Sequence, residues 1–377
     1  MLISYLMVAC TDSNDAKNGL KLNINETNRS AEVFSELARL HAAKTSQEVG
    51  SLNEAVTLFL SEPTEQNRSA LGEAWKSSHS ALLRLGAETL SGENATDSSA
   101  ALLYRLDAWP IQPGYIDSIE NYPNSGIVND ITVTLSVDSL RQQHGFSDVE
   151  EIILGFHPLE YLIFAKNAIH YQLPEHGEQS VVVATSDTPD PVTEQEVASA
   201  PVALPDKPSE DSVRRRRKLL ELLGDEVNES LSLYLSAHLE GVPYATAAIE
   251  SQQQAAQLAF SLLAVAHNHA SQGFEESNLL LDSDQSHSMF SQTSHLNVTQ
   301  RINSLTEVLN EPVWLSRSLA RLDENIEKDL QTTLAQGTQI IENGEFSESD
   351  RARLVTIFSA LSHQLEDLQL KLANSNP

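Results

Sequence analysis

Apolar residues recur along most of this 377-residue chain at the three- and four-residue spacing of amphipathic helices. Three groups in its first part each fall on one helical face: Val33, Leu37 and Leu40; Leu52, Ala55, Val56, Phe59 and Leu60; Leu71, Trp75, Leu82 and Leu85. Pro63 separates the second group from the third, and Thr64 stands where an N-cap is expected. The pattern predicts three helices here and an all-α fold.

The last apolar stripe is the longest in the chain. Ser347 and Asp350 precede it at the spacing of a capping box, in which each side chain bonds the backbone N–H of the other residue. We therefore expect a long final helix that begins after Ser347. Its buried face consists of Leu354, Phe358, Leu361, Leu365, Leu368 and Leu372.

The segment between residues 107 and 135 has a less regular pattern, because several prolines and glycines interrupt it. Residues 126–137 read GIVNDITVTLSV, which predicts a short strand or an extended segment. At Ser147 the helical pattern returns and continues through SDVEEIILGFHPLEYLIFAKN. We expect a helix to begin there.

A change in composition divides the chain. Six of the 14 prolines lie in residues 171–211, among Ser, Thr, Glu and Ala with little periodicity. This composition favours a flexible linker or a long insertion. We therefore predict two helical-bundle domains that pack against each other, one over residues 28–170 and one over residues 212–377, joined by the Pro-rich segment.

The net charge limits the classes of partner. With 53 acidic and 24 basic residues, the chain has a formal charge of −29. It repels nucleic acid and anionic membrane surfaces, so we expect no nucleic-acid partner, whereas a cation such as a metal ion suits it. We interpret the one basic run, residues 214–218, as a solvated helix face.

The single cysteine, Cys10, excludes a disulfide within the chain. It follows the apolar MLISYLMVA and precedes the polar TDSNDAKNG, an arrangement that resembles the lipobox of a bacterial lipoprotein signal. We interpret residues 1–27 as a signal-like segment and tether, with Cys10 as a lipidation site that anchors the protein to a membrane. The alternative is an unmodified thiol after an apolar segment.

Two titratable residues, His157 and Glu160, interrupt the apolar stretch ILGFHPLEYLIF. At positions i and i+3 they share one helix face and can reach one metal ion or one substrate group. The structural alternative is that Pro158 opens a helix, Glu160 caps it and His157 merely precedes it. If the helix begins at Ser147 instead, Gly155 and Pro158 should kink it.

Three motifs together resemble those of the imelysin family, also called the insulin-cleaving membrane protease or iron-regulated protein A family. The family motif Gly-x-His-x-x-Glu matches Gly155, His157 and Glu160. An Arg-x-x-x-Trp-Pro…Tyr-Ile-Asp element matches Arg105, Trp109, Pro110, Tyr115, Ile116 and Asp117. A His-Ser-x-Phe-Ser-Asp-Asn-Thr-His element matches His287, Ser288, Phe290, Ser291 and His295, with departures at Gln292, Thr293 and Ser294.

The resemblance, over roughly residues 30–375, implies an all-helical protein of two bundle-like domains with a site near their interface. It also implies export to the bacterial periplasm or outer membrane and a relation to iron uptake. We therefore predict an exported protein of iron acquisition that binds a metal ion (iron or another divalent metal) or an iron chelate between its domains.

The predicted ligands come in three groups. His157 and Glu160 are the direct ligands, because imidazole and carboxylate suit iron. Asp117 and Arg105 follow as ligand or orienter, with Arg105 able to hold an anionic chelate. A third ligand would come from Asp117, His79 or the second-domain element, whose possible contributors are His287, Ser288, Ser291 and His295.

Three alternatives remain open at this point. The family was first classed as metallopeptidases, but the His-Glu-x-x-His motif of zinc peptidases is absent and no general base is evident. A non-catalytic lipoprotein that binds protein or polysaccharide is a further class. Finally, Arg105, Asp117, His157 and Glu160 would also form an ordinary salt-bridge network between the domains.

Overall fold

The computed structural model describes residues 20–85, 97–165, 171–173, 208–240, 248–281, 287–344 and 346–375. These residues form helices, turns and loops, and contain no β-strand. The predicted all-α fold is therefore confirmed. Cys10 and most of residues 171–211 lie outside the described residues, so the lipidation site and the Pro-rich linker stay predictions.

Twelve helices make up the described part of the chain. In order they are α1 Ile24–Ser61, α2 Glu65–Leu85, α3 Asp97–Asp107, α4 Pro113–Ile116, α5 Val137–Gln143, α6 Phe156–Phe164, α7 Glu210–Glu240, α8 Gln252–Leu279, α9 Ser294–Leu309, α10 Ser316–Leu319, α11 Glu324–Ile341 and α12 Glu348–Asn374. Within these residues, no helix combines the length and the apolar character that a membrane span requires.

The first two predicted helices are one continuous helix, α1, of 38 residues. Its N-terminus is capped by the side chain of Asn23, which accepts hydrogen bonds from two backbone N–H groups. The buried stripe runs through Phe34, Ala38 and His41, so Leu40 lies off it and is 60% exposed. Val33 and Leu37, which share the predicted face with Leu40, are half-buried and pack against the core.

Two hydrophobic clusters fill the interior. One joins the first part of α1 to α8, α9, α11 and α12. The other joins the rest of α1 to α2, α6 and α7. Since α7 packs with helices from before the Pro-rich segment, these clusters do not follow the boundary at residue 212. The division into two domains stays a prediction.

The basic run at the start of α7 forms hydrogen bonds with the irregular segment between α4 and α5. Arg216 is buried and bonds both carboxylate oxygens of Asp117, at 2.6 and 3.0 Å. Arg215 donates to backbone carbonyls in that segment, and Arg217 donates to those of Tyr171 and Leu60. The solvated-face interpretation therefore holds only for the two ends of the run, Arg214 and Lys218.

Two local predictions in this region are wrong. No strand forms in residues 126–137: most of residues 126–133 form turns, with the N–H groups of Asn129 and Asp130 both bonded back to the carbonyl of Gly126, and α5 begins at Val137. No helix begins at Ser147: residues 147–155 form bends, turns and irregular backbone, and the φ of +100° at Gly155 separates them from the helix that follows. The helix begins at Phe156, and Pro158 sits in its first turn, where no backbone N–H donor is required.

The final helix, α12, follows the sequence closely. Ser347 and Asp350 form the predicted capping box, with the Ser347 hydroxyl accepting from the Asp350 N–H at 3.2 Å. All six predicted stripe residues of α12 are buried. The inward face predicted for α2, including Trp75, is buried as well.

Candidate functional site

The candidate site forms where the end of α3 meets the start of α6. At Gly155 the two backbones are so close that a Cβ atom would lie 2.5 Å from the carbonyl oxygen of Leu106. Glycine is therefore required here both for its φ angle and for space. This approach places Asp107, the last residue of α3, beside His157 in the first turn of α6.

Three histidines from separate parts of the chain meet at this point. They are His79 on α2, His157 on α6 and His287 shortly before α9. One ring nitrogen from each lies within 4.8 Å of the other two. The ring centroids of His157 and His287 are 4.4 Å apart, and those of His79 and His157 are 5.2 Å apart.

Asp107 holds two of these rings through one oxygen. Its Oδ1 lies 2.9 Å from Nε2 of His79 and 3.2 Å from Nε2 of His157. Burial alone would raise the pKa of Asp107, but the charge of His79 and the bonds from both histidines hold it well below the usual range. Asp107 is therefore an ionised carboxylate in contact with two imidazole rings.

Glu160 holds His157 from the other side. Its Oε2 lies 3.2 Å from Nδ1 of His157, and its Oε1 accepts hydrogen bonds from both the N–H and the hydroxyl of Ser291, at 2.8 and 2.7 Å. His157 thus lies between two carboxylates, those of Asp107 and Glu160. Both His157 and Glu160 are 1% exposed.

The two neighbouring histidines differ in protonation. Burial would lower the pKa of His157, but its bonds and charge interactions with Asp107 and Glu160 outweigh burial and raise it to about 9. Burial and the positive charge of His157 hold the pKa of His287 well below its usual value. At neutral pH the metal-free cluster therefore contains a charged His157 beside a neutral His287.

Further side chains enclose the cluster. Trp75 is fully buried and donates from its indole N–H to the carbonyl of Phe156 at 2.9 Å. Trp109 is half-buried, with its ring centroid 5.5 Å from that of His287. The amide nitrogen of buried Asn297 contacts Nδ1 of His287, while its Oδ1 has no hydrogen-bond partner among the described residues.

The structure brings only some of the predicted site residues together. His157, Glu160, His287 and Ser291 lie in one contacting group, and buried Ser288 follows His287 directly. The other three predicted residues have different partners. Nη1 of Arg105 lies 3.6 Å from Oε1 of Glu226, and the carboxylate of Asp117 is bonded to Arg216. The ring of His295 packs near that of Phe346. Whether any of these residues binds a ligand stays a prediction.

Asp107 is the residue that the sequence analysis missed. It lies between Arg105 and Trp109, inside a motif that was used only for its other members. A second signal was its place three residues before Pro110, where a helix is expected to end. Neither signal identifies the partner, because His157 is 50 residues further along the chain.

The arrangement has the chemistry of a transition-metal site. Three imidazoles suit zinc, copper, iron and nickel, and an adjacent carboxylate adds a hard oxygen ligand. Carboxylates that bond the rings, as Asp107 and Glu160 do, are the usual orienting partners of metal-binding histidines. His79, His157 and His287 would hold such an ion, with Asp107 as the nearest carboxylate.

The fold and this cluster together define a helical protein whose buried polar site draws on distant helices. The Imelysin family model matches residues 37–368, and the protein therefore belongs to the imelysin family. This confirms the family that the three motifs predicted. No curated protein matches the chain.

Two solved structures have the same fold. A protein from Parabacteroides distasonis ATCC 8503, named as an iron-regulated protein A precursor, is 14% identical, with a TM-score of 0.55 over 95% of this chain and 98% of that chain. An imelysin-like protein from Psychrobacter arcticum 273-4 is also 14% identical, with a TM-score of 0.54 over 95% of this chain and 96% of that chain. At this identity the likeness shows the fold alone.

Proposed function

We propose that this protein binds a transition-metal ion through His79, His157 and His287, with Asp107 beside them, and that it serves iron acquisition. The observation that carries the proposal is the convergence of three histidine ring nitrogens within 4.8 Å. The imidazole nitrogen is the commonest metal ligand in proteins, and three of them at this spacing offer one ion three donors.

Iron, or an iron chelate, is the proposed cargo. Imidazole and carboxylate ligands suit iron, and one structure of the same fold is named as an iron-regulated protein A precursor. Half-buried Trp109 next to His287 offers an aromatic wall to an organic chelate at the edge of the site. The metallopeptidase and the protein- or polysaccharide-binding hypotheses remain predictions.

Export forms part of the same proposal. The lipobox-like sequence ending at Cys10 would provide a lipid anchor, and iron acquisition would then take place in the periplasm or at the outer membrane. The relative named as a precursor supports this view. Labelling cells with a clickable fatty acid tests it, because wild-type protein would take up the label and Cys10→Ser protein would not.

Calorimetric titration of the untagged full chain with ferrous, zinc and cupric ions tests the metal site. We expect one-to-one binding that His157→Ala abolishes. His295→Ala is the matched control, since His295 lies outside the cluster, and it should bind as tightly as wild type. Absence of binding by folded wild-type protein, or equal binding by His157→Ala protein, would overturn the proposal.

A further inference from the structure

Both oxygens of the Glu160 carboxylate bond protein groups. Oε1 accepts two hydrogen bonds from Ser291, at 2.8 and 2.7 Å, and Oε2 lies 3.2 Å from Nδ1 of His157. A metal bound to Oε1 would displace a bond from Ser291, and one bound to Oε2 would compete with Nδ1 of His157. Its geometry is that of an orienting group.

Ser291 belongs to the segment that carries His287. We call residues 287–293 the histidine segment. It is folded on itself by the bond from the Thr293 N–H to the Ser288 carbonyl at 3.2 Å and by the contact between the Ser291 and Thr293 hydroxyls at 2.8 Å. The position of His287 therefore depends on how this short unit sits on the helices beneath it.

Three contacts join the histidine segment to α6. The ring of His287 lies against that of His157, Ser291 bonds Glu160, and Phe290 packs edge-on against Tyr161 with ring centroids 5.0 Å apart. The two hydrogen bonds from Ser291 to Glu160 are directional and end on a carboxylate, whereas the contact between Phe290 and Tyr161 is ring packing. The Glu160–Ser291 pair is thus the polar contact that joins the histidine segment to α6, while Asn297 contacts the ring of His287 from α9.

We infer that Glu160 is a positioning residue that fastens the histidine segment to α6 and thereby holds His287 beside His157. This differs from the direct ligand role predicted from the spacing of His157 and Glu160. One carboxylate would orient the ring of His157 through Oε2 and place a second histidine through Oε1. The metal-binding arm of its test rests on the proposed function, and the amide-exchange arm does not.

Cobalt(II) is a suitable probe for the metal arm, because its visible absorption changes with the number and type of ligands. We expect Glu160→Gln protein to keep the wild-type cobalt spectrum, since the amide oxygen can still accept from Ser291. Glu160→Ala and Ser291→Ala should weaken cobalt binding by about 10- to 100-fold, as loss of an orienting group does. A changed spectrum in Glu160→Gln protein would instead identify Glu160 as a ligand and overturn the inference.

Met289 supplies a matched control within the same segment. Its side chain is 41% exposed and was not among the predicted ligands, so Met289→Ala should leave cobalt affinity unchanged. A double-mutant cycle adds the causal step, because Ser291→Ala should have no effect in a His287→Ala background. An equal loss in both backgrounds would show that Ser291 does not act through His287.

Amide hydrogen exchange tests the inference without any metal. The N–H of Ser291 is protected by Glu160 Oε1, so its exchange should accelerate at least tenfold in Glu160→Ala protein and stay slow in Glu160→Gln protein. Unchanged exchange in Glu160→Ala protein would overturn the inference even if cobalt binds. Failure of wild-type protein to bind cobalt, with exchange as expected, would refute only the proposed metal site.

Discussion

A Cβ atom on Gly155 would lie 2.5 Å from the carbonyl oxygen of Leu106 and 2.6 Å from that of Arg105. The glycine of the Gly-x-His-x-x-Glu motif is therefore the point where the end of α3 touches the start of α6. Because Asp107 follows Leu106 and His157 follows Gly155 by two residues, this contact also sets the distance between their side chains.

Gly155→Ala should destabilise the protein and disturb the site. The new methyl group would meet backbone atoms that cannot rotate away, and the φ of +100° is unfavourable for alanine. We expect a loss of at least about 2 kcal/mol in the free energy of unfolding, measured by urea denaturation.

Gly50→Ala is the matched control for this substitution. Gly50 lies within α1, and a Cβ atom there would meet nothing within 4 Å. Alanine should therefore raise stability by about 0.5–1 kcal/mol through its better helix propensity. Equal effects of the two substitutions would refute the steric explanation for Gly155.

The stability of the metal-free protein should fall as the pH rises from 6.5 to above 9. Because the pKa of His157 is raised from 6.5 to about 9 in the folded protein, its charge stabilises the fold fully below pH 6.5. This contribution is lost as the pH passes through 9. Asp107 stays ionised throughout this range, since its pKa is well below 3.8.

Urea unfolding of wild-type and His157→Gln protein in a chelating buffer would measure this effect. The difference in unfolding free energy between the two proteins should shrink steadily between pH 6.5 and pH 9.5. A difference that does not change with pH would mean that His157 is neutral between Asp107 and Glu160.

The buried pair of Asp117 and Arg216 should be a large contributor to stability. Both side chains are nearly inaccessible, at 0% and 2% exposure, so Asp117→Ala would leave a buried guanidinium without its carboxylate. We expect a cost of about 3–5 kcal/mol, measured by chemical denaturation. Metal affinity per folded molecule should not change, because the Asp117 carboxylate is bonded to Arg216 and is not one of the clustered ligand groups.

The exposed pair of Glu210 and Arg214 in the same helix provides the comparison. Their side chains are 49% and 55% exposed, and Glu210→Ala should cost at most about 1 kcal/mol. A similar cost for Glu210→Ala and Asp117→Ala would contradict the role assigned to burial.

Asp107→Asn should weaken metal binding while leaving the helices intact. The amide keeps an oxygen near His79 and His157 but removes the negative charge that favours a cation. We expect an affinity loss of about 10- to 100-fold in calorimetric titrations with zinc. Asp130→Asn, at an exposed turn, is the control and should bind like wild type.

The sequence alone determined the features that arise from interactions between residues three or four positions apart. The stripe and capping box of α12, the inward face of α2 and the all-α class follow from periodicity and side-chain-to-backbone bonds over three or four residues. The pairing of His157 with Glu160 follows from the same helical spacing. The family also followed, because three motifs occur in order along the chain.

Only the tertiary structure decided which distant residues meet. It joined two predicted helices into α1, placed α7 with the helices before the Pro-rich segment, and directed Asp117 and Arg105 to partners away from His157. It also brought Asp107 and His79 to His157 and set Ser291 on Glu160. These contacts link residues tens to hundreds of positions apart, and helical periodicity carries no information about them, because they arise from packing between helices rather than within one.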